Sequence, residues 1–151
     1  MNNDDLAGKI TKNLINTLSN KKLTLKEAES LIKNCENKAE ELGIPVVITV
    51  LDNGGNLIAE HRMDDALLIS ISASFNKAYT SLALKMPTSE VYKLVQPGMP
   101  FYGLESIIPG KMCVFAGGLP IMHNNVCIGG IGVSGGTTEQ DDLIVNSAFS
   151  D

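Results

Sequence analysis

The 151-residue sequence has no tryptophan, only seven other aromatic residues, two histidines and three cysteines. With so few rings, the core has to be aliphatic. The cysteines, Cys35, Cys113 and Cys127, are odd in number, widely spaced and without a C-x-x-C pair. That excludes a disulfide framework and a zinc ribbon, and three reduced, mostly buried thiols are expected. There is no cluster of Lys or Arg, and the net charge is −5. A nucleic-acid partner, which needs a basic stripe, is therefore not expected. No apolar run approaches the roughly 20 residues needed to cross a bilayer. The opening residues carry Asp4 and Asp5 where a secretory signal needs lysines and then an apolar stretch. A soluble, cytoplasmic protein without a membrane partner is the expectation. Fourteen glycines and six prolines are close to average usage, which excludes collagen-like and low-complexity classes.

What is present is 44% hydrophobic and long enough for one domain with a real core. Leu6, Ile10, Leu14, Ile15 and Leu18 recur at spacings near four and predict a first helix within residues 1–20. A second helix opens at Thr24, which forms a capping box with Glu27. Ala28, Leu31, Ile32, Cys35, Ala39 and Leu42 share one of its faces, and Gly43 and Pro45 end it. Residues 46–51 form a β-branched strand, Asp52-Asn53-Gly54-Gly55-Asn56 a tight reversal, and 57–63 the returning strand. From 65 to 85 the pattern is helical, with Leu68, Ile71, Phe75, Ala78, Tyr79 and Leu82 in one stripe. A short helix follows over 88–95, then an irregular segment over 97–110 rich in Gly and Pro, long enough for a binding loop. Residues 111–116, 119–123 and 126–133 read as three strands, joined by Gly117-Gly118 and by the two-residue turn Asn124-Asn125. A last helix begins near Thr137. The order α-α-β-β-α-α-β-β-β-α predicts an α+β fold with a central antiparallel sheet of about five strands flanked by helices. Residues 1–22 form a helical extension and 23–151 the domain.

Gly130-Ile131-Gly132-Val133-Ser134-Gly135 spells G-x-G-x-x-G. The dinucleotide fingerprint also needs a βαβ unit and an acid about 20 residues later, and neither is present. A glycine-permitted strand-to-helix turn is the expectation. The backbone amides near Ser134 and Thr138 remain able to meet a carboxylate or phosphate edge. Templates for hydrolases and for phosphate loops are absent. His61, Arg62, Met63, Asp64 and Asp65 form the densest polar cluster beside a strand end, offering an imidazole, a guanidinium and carboxylates to a ligand. Histidine is a common axial haem ligand, and Met, Cys and Tyr are others. His123, Met63, Met99, Tyr102 and Met122 are therefore further candidates.

Several motifs in order carry a family resemblance: Leu23-Thr24-Leu25, Gly43-Ile44-Pro45-Val46, Leu51-Asp52, Gly55-Asn56-Leu57, Arg62-Met63-Asp64, Lys77-Ala78-Tyr79-Thr80, Gly117-Gly118-Leu119-Pro120-Ile121 and Val126-Cys127-Ile128-Gly129, closing with Ile131-Gly132-Val133-Ser134-Gly135 and Gln140-Asp141. Across residues 23–150 the chain resembles the GlcG/HbpS-like family, which includes the C-terminal domain of PduO-type proteins. The resemblance implies an antiparallel sheet flanked by helices, assembly into tetramers or octamers, and haem binding in some members. Others stand beside corrinoid, propanediol or glycolate utilisation. The adenosyltransferase domain of PduO-type proteins has no counterpart here. No histidine precedes His61, so a haem ligand on the N-terminal helices of some relatives has no equivalent. Asp65 stands where the family usually has glycine.

The leading expectation is a homo-oligomeric domain binding a small ligand, haem or a related tetrapyrrole. Its pocket is lined by His61, Arg62, Met63, Asp64, Gly117, Gly118, Ser134, Gly135 and the 97–110 loop. Arg62 pairs with a propionate, and His61 or Met63 is the candidate metal ligand. The rival readings are an enzyme acting on a small carboxylate or corrinoid-linked substrate, with Asp52 or Asp64 as acid/base, and an assembly module. In the last, residues 1–20 dock a partner, for instance within a bacterial microcompartment.

Overall fold

The computed structural model describes residues 3–18 and 21–150. Its order is α1 (Asn3–Leu18), α2 (Leu25–Leu42), β1 (Val47–Asp52), β2 (Leu57–Arg62), α3 (Ile69–Leu84), α4 (Thr88–Leu94), β3 (Gly118–His123), β4 (Val126–Ser134) and α5 (Thr138–Asn146). Single 3-10 turns lie at Leu104–Ser106 and Ser147–Phe149. The strands form one antiparallel sheet in the order β2-β1-β4-β3. β2 and β3 are therefore its open edges.

α2 begins and ends as its sequence predicts. Thr24 and Glu27 make a reciprocal capping box, and Gly43, at φ 68°, closes the helix in the left-handed region. The Lys21 ammonium, 2.7 Å away, and then the Thr24 amide hold the Glu27 carboxyl down at about 2. A carboxyl depressed in the fold stabilises fully above its ordinary 4.5 and loses that contribution as the pH falls toward 2. Amide exchange in the first turn of α2 is expected to accelerate within that acid window and to be flat above it.

One face of the sheet carries the main core. Ile48, Val50, Ile131 and Val133 pack there against Ala28, Ile32, Cys35 and Ala39 of α2 and against Ile144 and Val145 of α5. The other face receives α3, and here the sequence stripe misleads. Leu68 is 81% exposed, and of the stripe only Ala78 is fully buried, facing the sheet together with Ser70, Ser74 and Ser81. Opposite them lie Gly118, Gly130 and Gly132, where a β-carbon would collide with the Lys77, Ala78 and Ser74 carbonyls respectively. Gly118 pairs with Gly132 across the β3–β4 ladder. Small residues on both surfaces thus bring the helix backbone onto the sheet.

Two further expectations change. Residues 111–116 are not a strand, so the sheet has four strands and β3 starts at Gly118. The Cys113 amide donates to Thr80 Oγ1 at 2.9 Å, and Val114 joins Val91 and Val95 in a small separate cluster. Apolar residues there serve a loop over α4. The helical pattern of 65–85 starts only at Ile69, because Asp65 sits in a turn at φ 66°. The turn residues Asn124 and Asn125 take the paired positive φ values, 48° and 63°, of a two-residue hairpin. In α1, Leu6, Ile10 and Leu14 are about half exposed, while the side chains of Ile15 and Leu18 lie outside the described residues.

Candidate functional site

β2 presents the candidate ligand groups at an edge of the sheet. Neighbouring side chains of a strand stand on opposite faces. His61, paired with Ile48, faces α2, where its Nδ1 lies 2.7 Å from Glu36 Oε1. A carboxylate only accepts, so Nδ1 carries a proton, and in the neutral imidazole the lone pair is on Nε2. No hydrogen-bond partner of Nε2 occurs among the described residues. The imidazole is half exposed and the Glu36 side chain largely covered. This is the orientation device found behind metal-binding histidines, in which a carboxylate fixes the tautomer and the other nitrogen is presented outward. Glu36 was not among the sequence candidates, because a contact 25 residues away leaves no local signal.

Arg62 faces the α3 side. Its Nη2 donates to the Ala66 carbonyl at 2.9 Å and ties down the turn that follows β2. Met63 packs on the main core, while Asp64 is exposed. Asp65 adopts the left-handed conformation in which glycine is at ease. Beyond it Leu67, Leu68 and Ile69 are 62%, 81% and 68% exposed. Imidazole and guanidinium therefore flank one edge without sharing a face.

The remaining candidates lie elsewhere. Gly117, at φ 115°, has no room for a side chain, because Lys77 Nζ and the Asp141 β-carbon stand in its place. Gly118 donates to Thr88 Oγ1 at 2.8 Å. Ser134 and Ser70 approach to 3.4 Å under α3. The glycines of the G-x-G-x-x-G string pack against protein backbone: Gly130 and Gly132 under α3, Gly135 against Pro45. In the 97–110 loop Met99, Phe101, Tyr102 and Ile107 are all exposed.

Three surface cavities measure about 510, 400 and 360 Å³. None of the three is lined by the β2-edge residues, by Gly117 or Gly118, or by Ser134 or Gly135. No group of three or more His, Cys, Asp or Glu able to hold a metal ion occurs among the described residues. His123 stands on the other edge strand, 3.3 Å from the Asn124 amide.

Two buried polar sets escaped the sequence reading. Lys77 Nζ donates to Asp141 Oδ2 at 2.7 Å and to the Val133 carbonyl at 2.9 Å, with both side chains almost fully buried. Asp141 Oδ1 accepts from the Gly136 amide at 2.8 Å. Burial pushes the Asp141 carboxyl up, opposed by the Lys77 ammonium and the amides of Gly136 and Gly135. Thr49 Oγ1 bonds Glu60 at 2.8 Å and Ser74 at 2.8 Å. Asp52, a candidate acid/base, accepts from the amides of Gly54 and Asn56. Those contacts, Asn56 foremost, hold its carboxyl below the usual range, which suits a turn cap. The thiols are unpaired, and burial pushes Cys35 up to about 12 and raises Cys113. Neither is an activated nucleophile. No helix among the described residues is long and apolar enough to cross a membrane.

Comparison with known proteins agrees with this architecture. The chain is 44% identical over 127 residues to an uncharacterised 15.0 kDa protein from the dhaT–dhaS intergenic region of Citrobacter freundii, covering 84% of this chain and 89% of that one. It is 41% identical over 128 residues to the corrinoid adenosyltransferase PduO of the same organism, covering 85% of this chain but only 38% of PduO. Among solved structures, the PduOC complex with heme superposes with a TM-score of 0.83 at 38% identity, covering 86% of this chain and 94% of that one. The family model described as "Haem degrading protein HbpS-like" matches residues 23–150. The chain belongs to the HbpS-like family.

Proposed function

We propose that the chain binds haem or a related tetrapyrrole across the open edge of β2, as one subunit of a homo-oligomer. The pair His61–Glu36 carries this reading, because it holds the imidazole in one orientation at an accessible strand edge. The heme held by PduOC in its solved complex supports it. The residues present fit such a group. His61 Nε2 supplies a donor of the usual axial kind, and Arg62 on the opposite face of the strand supplies a cation for a propionate. Leu67, Leu68 and Ile69 give apolar surface beside Arg62. A flat ligand using both His61 and Arg62 has to straddle the edge, since the two side chains diverge. Bound haem iron supplies redox and oxygen chemistry, whose course the axial ligand and its hydrogen bonding set.

Titration of hemin into the purified chain tests this by absorption. A shifted Soret band is expected, abolished in His61→Ala and kept in His123→Ala. Glu36→Gln is expected to weaken binding by about 10- to 100-fold, the usual cost of losing the group that orients a metal-binding histidine. A Soret shift indifferent to His61, or no shift, overturns the proposal.

Exposed rings support the oligomer. Tyr92, Phe101, Tyr102, Phe115 and Phe149, five of the seven aromatic residues, are each about half exposed or more. Rings held outside an aliphatic core are characteristic of surfaces that meet another molecule. Sedimentation at micromolar concentration is expected to give a multimer, and a monomer at every concentration contradicts this part.

A further inference from the structure

We propose that, without a ligand, β2 pairs antiparallel with β2 of a second copy of this chain about a two-fold axis at His61, and that haem and this second copy exclude one another. The pairing stands on the strand itself, whereas the exclusion rests on the haem reading above.

The backbone is free to pair. The Met63 amide donates to the Val46 carbonyl at 3.0 Å, so Met63, His61 and Ala59 turn their amides and carbonyls toward β1. Glu60 and Arg62, in between, turn theirs outward, where no strand lies among the described residues. The other edge, β3, carries Pro120, which has no amide proton to offer and so discourages pairing there. β2 has no proline, and its one irregularity, the extra residue at Ile58, precedes this segment.

Charge selects the partner and the register. Glu60 and Arg62 lie two residues apart and share the α3 face of the sheet. Neither joins an ion pair among the described residues. The Thr49 hydroxyl donates to Glu60 Oε2 at 2.8 Å, which leaves Oε1 without a partner among the described residues. Opposite charges so spaced are complementary to their own copy. With His61 opposite the partner's His61, each Glu60 lies across from the partner's Arg62. The same register joins their outward amides and carbonyls as hydrogen-bonded pairs, with His61 as the non-hydrogen-bonded pair between them. The neighbouring registers of the same backbone parity set Glu60 against Glu60 or Arg62 against Arg62, which is unfavourable. The exposed Leu57, Leu67 and Leu68 flank the paired segment and add apolar surface to it. A flat ligand reaching both His61 and Arg62 straddles this edge and covers the same outward amides. Ligand and second strand therefore compete.

Cross-linking of the full, hemin-free chain tests the pairing. A non-hydrogen-bonded pair brings its α-carbons to about 4.5 Å, within the reach of a disulfide. His61→Cys is therefore expected to give a covalent dimer on oxidation, absent from the parent and from Asp64→Cys, an exposed position just past the strand. By sedimentation, Arg62→Glu is expected to weaken self-association by about 10-fold or more, and the swap Glu60→Arg/Arg62→Glu to restore it to within about 3-fold. No covalent dimer beyond that of Asp64→Cys, or self-association indifferent to Arg62→Glu, overturns the pairing. Should the swap fail to fold, the cross-link decides. Saturating hemin, followed by its Soret band, is expected to cut the sedimenting mass of the parent by about half. A Soret shift at unchanged mass overturns the exclusion alone. No Soret shift overturns the haem site and the exclusion together, while the pairing stands or falls with the cross-link.

Discussion

Replacing Gly132 with alanine is expected to remove at least about 3 kcal/mol of stability, enough to leave a domain of this size largely unfolded or poorly expressed. The added β-carbon would overlap the Ser74 carbonyl and crowd the Ala78 amide, both backbone atoms of α3. Backbone in a helix cannot swing aside as a side chain does, so α3 would have to lift from the sheet. That would also part the Thr49–Ser74 bond of 2.8 Å. Gly8→Ala is the matched control. Nothing lies within 4 Å of a β-carbon there, and the residue is in a helix. It is expected to be neutral or stabilising by up to about 1 kcal/mol. Urea unfolding of the two variants reads the difference directly. A Gly132→Ala protein as stable as the parent would show that α3 does not rest on a glycine floor.

Lys77→Met is the second large effect. The buried pair of Lys77 and Asp141 spans α3 and α5, and its ammonium also caps the end of β4 at the Val133 carbonyl. Removing the cation strands a carboxylate in a dry environment, at a cost of about 3–5 kcal/mol. The pair itself adds little net stability, because both charges were desolvated to form it. The double variant Lys77→Met/Asp141→Asn is therefore expected to be more stable than Lys77→Met alone. Additive losses in this cycle would mean that the two residues do not act as a pair.

Local chemistry made much of the fold legible. The capping box at Thr24 and Glu27, the glycine stop at Gly43 and the asparagine turn at 124–125 appear where their spacing placed them. These devices act within a few residues and leave their mark in the sequence. Long-range packing does not. The run from 111 to 116 is apolar enough for a strand, but its amide at Cys113 is claimed by Thr80, 33 residues away. The stripe in α3 likewise follows the usual rule that large apolar residues face inward. The glycines of β3 and β4 reverse it, making small residues the buried face.

The candidate site divides the same way. The cluster at 61–65 stood out as polar residues at a strand end, and β2 carries His61 and Arg62 at an open edge, with Met63, Asp64 and Asp65 just beyond its end. That His61 and Arg62 diverge was already implicit in their adjacency within a strand, since one position changes the face. Glu36 and the Lys77–Asp141 pair, by contrast, become visible only when distant segments meet.

A structure of the chain loaded with hemin tests the central claim most directly. It is expected to show iron bonded to His61 Nε2, Glu36 still on Nδ1, and the ring lying over the edge of β2 with a propionate near Arg62. Iron bound to any other residue, or hemin lodged away from β2, would contradict it.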